Sequence, residues 1–89
     1  MIYSGNSNTS PTSDTPLAAY LQTEGFEIIE IEHLEIANRK KSVFHFTNDS
    51  SKLQEHIRLY HAGKARVEPS LYLRNYHTLI RKIREGLPA

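Results

Sequence analysis

The sequence predicts a small α+β domain: a short N-terminal helix, a two-stranded antiparallel hairpin, and two C-terminal helices packed on it. Three observations carry this expectation. Apolar residues recur at helical spacing in three segments, they alternate with polar residues in the stretch after the first of these, and Gly or Pro marks most of the junctions. At 89 residues, 38% of them hydrophobic, the chain has room for one domain.

The elements follow in order. Residues 1–13 are polar and aperiodic, with Asn6-Ser7-Asn8-Thr9-Ser10-Pro11-Thr12-Ser13 at their end; they read as a disordered tail, leaving 14–89 as the domain. Asp14-Thr15-Pro16 then reads as a helix start, with Asp14 or Thr15 as cap and Pro16 in the first turn, where its missing N–H costs nothing. Leu17, Tyr20 and Leu21 make one apolar stripe, and Gly25 supplies the stop. From Phe26 to about Ile36 the sequence favours a strand. The adjacent Ile28 and Ile29 break its alternation, which predicts a bulge. Asn38-Arg39-Lys40 is the expected turn. Lys41 to Thr47 is the clearest strand, with Phe44 and Phe46 on one face and Val43 and His45 on the other. Asn48-Asp49-Ser50 caps a second helix, in which Leu53, Ile57 and Tyr60 share a face before Gly63. Pro69 opens the third helix, which runs to about Glu85 before Gly86 and Pro88.

Composition excludes several classes. No run approaches the roughly 20 apolar residues a membrane-spanning helix needs. The chain has no Cys, hence neither a disulfide framework nor a thiolate metal site. The opening Met1-Ile2-Tyr3-Ser4-Gly5 lacks the basic and apolar regions of a signal peptide. A cytoplasmic location and no membrane partner are therefore expected. A folded region this small has a marginal core unless something supports it, so a protein partner or a homo-oligomer is expected too.

Charge is strongly partitioned. Residues 1–38 carry six acids (Asp14, Glu24, Glu27, Glu30, Glu32, Glu35) and no Lys or Arg, while residues 39–89 carry all 11 basic residues and four acids. The overall +1 thus conceals an acidic half and a basic half. On the third helix, Tyr72, Leu73, Tyr76, Leu79, Ile80 and Ile83 form the expected core face, spanning roughly 120° of the wheel. Arg74, His77, Arg81 and Arg84 line another side, with Lys82 flanking. Guanidinium groups spaced along one helix suit a phosphate backbone, because each offers two parallel N–H donors; His77 adds charge only in its protonated form. Arg39, Lys40 and Lys41 at the turn add a second basic point, and Lys64 and Arg66 a third.

Catalytic and cofactor chemistry is not expected. His56 and His61 lie about 140° apart round a helix and cannot chelate from one face. A three-residue turn would place His33 opposite His45, but two ligands are too few for structural zinc. The adjacent Glu55 and His56 do not face each other on a helix, and there is no nucleophile elbow or glycine-rich phosphate loop. Tyr20, Tyr60, Tyr72 and Tyr76 fall on apolar stripes and read as core and interface material.

The run Ser13-Asp14-Thr15-Pro16-Leu17-Ala18-Ala19-Tyr20-Leu21, then Gly25-Phe26, Val43-Phe44-His45-Phe46, Tyr60, Gly63, Val67, Pro69 and Tyr72, resembles a small bacterial and phage family known only as a domain of unknown function. The resemblance covers everything after the tail. It implies the same fold and a phage or mobile-element setting, and it brings no catalytic residues. Two functions follow as expectations. The first is a small non-catalytic accessory protein that binds nucleic acid or a nucleoprotein complex through its basic C-terminal helix and hairpin turn. The second is a protein–protein interaction subunit docking through the acidic strand of Glu27, Glu30, Glu32 and Glu35, or through an exposed sheet edge.

Overall fold

The computed structural model describes residues 9–47 and 51–89. Along the chain run β1 (Thr9–Thr12), α1 (Thr15–Thr23), β2 (Ile28–Ile36), β3 (Arg39–Thr47), α2 (Ser51–His61) and α3 (Pro69–Glu85). The mixed α/β character and the three helices match the sequence reading, whereas the sheet differs from it. Among the described residues it has three strands, in the order β1-β3-β2, antiparallel throughout. The added strand comes from the segment read as a tail, and the expected two-stranded hairpin is corrected accordingly. A hairpin alone is marginal in water, and pairing Thr9–Thr12 with Phe44–Thr47 makes β3 central.

Local chemistry explains the element ends. Asp14 caps α1, its carboxylate accepting from the Leu17 N–H at 3.1 Å. Glu68 caps α3 by accepting from the N–H groups of Ser70 and Leu71. All three helices close with the same pair of bonds: a 6→1 bond to the carbonyls of Leu21, Leu59 and Lys82, and a 5→2 bond to those of Gln22, Tyr60 and Ile83. The glycine each closure requires is in the left-handed region, as at Gly86 with φ 67°. The cap expected at Asn48-Asp49-Ser50 lies outside the described residues.

The hairpin turn is Ala37-Asn38, not Asn38-Arg39-Lys40. Both residues have positive φ, 53° and 66°, as a two-residue type I′ loop demands. Arg39 and Lys40 consequently belong to β3, and Ile36 lies opposite Arg39. The shorter loop sets the register so that His33 faces Ser42, while His45 faces Glu30; the expected His33–His45 pairing does not form. The bulge does occur: the register slips by one between Ile28, opposite Phe46, and Glu30, opposite His45.

Alternation sorts the sheet into two faces. Ile31, His33 and Glu35 share one face with Phe46, Phe44, Ser42 and Lys40; Glu30, Glu32, Leu34 and Ile36 share the other with His45, Val43, Lys41 and Arg39. The first face meets the helices. Phe44 and Phe46 are fully buried there, in one cluster with Ile28, Ile31, Leu17 to Leu21, Leu53 and Leu79. Five consecutive residues of α1 are buried, more than one stripe provides, so α1 is the central helix. Ala18 and Ala19, with no exposure, let neighbours approach closely. The C-terminal helices accordingly pack chiefly on α1, and the expectation that they cover the hairpin directly is corrected. Two bonds fix α3: Asn75 Nδ2 donates to Thr23 Oγ1 at 3.0 Å, and the His33 ring lies 2.8 Å from the Leu87 carbonyl.

Candidate nucleic-acid interface

The basic stripe of α3 survives folding. Arg74, His77, Arg81 and Arg84 are all exposed, whereas Lys82 is half-buried. Their spacing follows from the helix: Tyr72, Tyr76, Leu79 and Ile83 turn inward, which leaves the opposite side to the cations. From Arg74 to Arg84 the rise is about 15 Å. Leu73 sits at the margin of the expected core stripe and is 49% exposed, so its place there is corrected; being at the edge of a roughly 120° arc, it borders the arginines instead. Among the described residues the ion pairs are His45–Glu32, His56–Glu24 and Arg58–Glu55, and none of them involves an α3 cation. Two acids flank the stripe in sequence: Glu85 directly follows Arg84, and Glu68, six residues before Arg74, is engaged in capping. Its carboxyl is held below the ordinary value by the Leu71 and Ser70 N–H groups, with a smaller contribution from Arg74.

The hairpin brings part of the second basic point to the same region. His33, Lys40, Lys41 and Ser42 line one wall of a cleft of about 510 Å³, and Ile83, Arg84 and Gly86 line the other. Arg39 does not line it; alternation puts it on the far face, opposite Ile36, and Lys41, opposite Leu34, shares that face, so Lys40 is the hairpin cation on the α3 side. The cleft is not purely cationic, because Glu35 and Glu85 also line it. The wall is held in place by His33, whose ring bridges Ser42 Oγ at 3.0 Å and the Leu87 carbonyl at 2.8 Å. With Nε2 donating to that carbonyl, Nδ1 is left to accept from the Ser42 hydroxyl. Lys64 and Arg66 are exposed on the connector before α3.

The acidic set is divided. Glu30 and Glu32 lie on the second sheet face, Glu35 faces the α3 side opposite Lys40, and Glu27 precedes the strand. Glu32 is occupied, its Oε1 lying 2.6 Å from His45 Nε2. Sequence spacing did not reveal another contact: the Tyr20 hydroxyl lies 2.8 Å from His56 Nδ1, joining α1 to α2. Phe26 packs edge-on against the same imidazole. Only the inward phase of both residues hinted at it. Burial raises the pKa of Tyr20, as it does for Tyr60 and Tyr72. Among the described residues no three His, Cys, Asp or Glu side chains converge to hold a metal ion, and no helix is long and apolar enough to cross a membrane.

A family model described as a domain of unknown function, DUF5659, matches residues 7–86. No curated protein and no solved structure gives a significant match.

Proposed function

The chain belongs to the DUF5659 family, and for this member we propose a non-catalytic role: binding the phosphate backbone of nucleic acid, alone or within a nucleoprotein complex. One observation carries the reading. Arg74, Arg81 and Arg84 are exposed along one side of α3, outside every ion pair of the described residues, and the cleft at the end of that side includes Lys40. Unpaired guanidinium groups offer bidentate donors to phosphate without reading base edges, so binding is insensitive to sequence and steep in salt. Leu73 beside Arg74 and the exposed Leu71 give apolar margins to the same surface. The phage or mobile-element setting belongs to the proposal as well, and rests on the sequence resemblance alone.

The test compares the parent with Arg74→Ala/Arg81→Ala/Arg84→Ala, using fluorescence anisotropy on a labelled duplex across a salt series. Three lost phosphate contacts should flatten the slope of log K against log salt by about 2.7. These positions are exposed, so circular dichroism should report an unchanged fold. An unchanged slope and affinity would leave the stripe as a solvated helix face.

A further inference from the structure

The two edges of the sheet are built differently. The β1 edge is four residues long and carries Pro11, which lies opposite His45. Counting by alternation from the Ile36–Arg39 pair that flanks the two-residue loop, the ladder bonds of Arg39, Lys41, Val43 and His45 point toward β2. The Pro11 nitrogen therefore faces away from β3, where the missing N–H costs the sheet nothing and denies a donor to any further strand. The β2 edge is nine residues long and has no proline. Residues flanking a two-residue loop exchange hydrogen bonds, and the pattern then alternates. Ile36, Leu34 and Glu32 thus bond to β3, whereas the backbone N–H and C=O groups of Glu35, His33 and Ile31 point outward. Among the described residues no strand pairs with them.

We infer that this edge takes up an extended, Lys- or Arg-bearing segment of a partner protein as a fourth strand. The outward backbone groups supply the hydrogen bonds, and side-chain chemistry selects the occupant. Glu30 and Glu35 are exposed and Glu27 stands just before the strand, while β2 itself has no Lys or Arg. Pairing β2 with a second copy of itself would crowd two such sets of carboxylates along one seam, and like charges across strands repel. A segment with basic residues at alternate positions puts them all on one sheet face; beside Glu35 on the first face they meet a carboxylate, and the residues between fall on the second face. Leu34 and Ile36, 37% and 59% exposed on the second sheet face, offer apolar contact to the residues between. The inference does not rest on the phosphate-binding reading: it uses the backbone groups of β2 and its carboxylates, although His33 and Glu35 also border the cleft beside α3.

The experiment titrates the full chain with labelled nine-residue peptides that alternate valine with lysine, serine or glutamate. Binding is followed by anisotropy and located by backbone amide NMR shifts. Affinity should rise at least tenfold from the glutamate to the lysine peptide, with shifts centred on residues 29–36. Glu35→Pro removes an outward N–H without breaking a ladder bond and should abolish binding. A lysine peptide N-methylated at alternate positions tests the same bonds from the other side and leaves the protein intact. The inference falls if affinity ignores peptide charge, if either blocked form binds as well as its parent, or if light scattering shows a dimer that Glu35→Pro dissolves.

Discussion

The single histidine–tyrosine contact between α1 and α2 shows how much one side chain can be asked to do in a small core. Tyr20 is 3% exposed, its ring stacks near Tyr60 at 5.9 Å, and its hydroxyl ends on His56. Burial raises the pKa of Tyr20, Tyr60 and Tyr72 above the ordinary 10.0, assisted by Glu24, Asp14 and neighbouring tyrosines. The folded chain therefore keeps phenolic protons that the unfolded chain releases. Stability from these groups is fully present below pH 10 and declines as pH rises through the folded-state values. Urea midpoints measured from pH 7 to 11 should fall only in the alkaline arm. Tyr20→Phe should lower the midpoint at pH 7, by about 1 kcal/mol for the lost hydrogen bond, and make the alkaline decline shallower. A decline of equal steepness in the variant would mean Tyr20 contributes nothing to it.

Among the elements, the helices were legible because their punctuation is chemical: Asp14, Pro16 and Pro69 at starts and glycines at stops. The bulge at Ile29 was legible for the same reason, since a broken period has one mechanical solution. The first strand was not. Thr9-Ser10-Pro11-Thr12 has no apolar residue except proline, and its pairing is decided by a strand more than thirty residues away. The turn was misplaced by one residue because Ala37 is a poor candidate for positive φ, and only the register shows that it adopts it. That strain is measurable. An alanine in the left-handed region costs roughly 1 kcal/mol, so Ala37→Gly should stabilise the protein by about 0.5–1 kcal/mol; a shift in thermal midpoint checks it, and destabilisation would contradict the turn geometry. Of the candidate site, the α3 stripe followed from helical phase alone. The division of the glutamates between two faces, and the separation of Arg39 from Lys40, required the strand register.

At the scale of the molecule, charge and core are both arranged about α1. The basic side of α3 and the acidic edge of β2 carry opposite charge and adjoin at the cleft lined by His33, Glu35 and Arg84; under the two proposals above, the domain would join a polyanion to a basic polypeptide segment. The core that holds them is small: Leu17 to Leu21, Leu53, Leu79, two phenylalanines and two isoleucines. At 0.05–0.15 kcal/mol per residue, a domain of this length is stable by roughly 4–12 kcal/mol. Leu79 is fully buried where α3 meets that core, and Leu79→Ala should cost about 2–5 kcal/mol. Chemical denaturation should then show a partly unfolded population at 37 °C; a loss below about 1 kcal/mol would mean α3 is not anchored there.

The pairing of Thr9–Thr12 with β3 also orders events in time. Those residues leave the ribosome before the strand that receives them has been translated, whereas β2 and β3 are joined by a two-residue loop and can zip within microseconds. The first-made strand is thus the last to dock, closing a loop of more than thirty residues around α1. In that interval the hairpin is bare along both sides: the flank that β1 will seal is as available to a passing strand as the β2 flank remains afterwards.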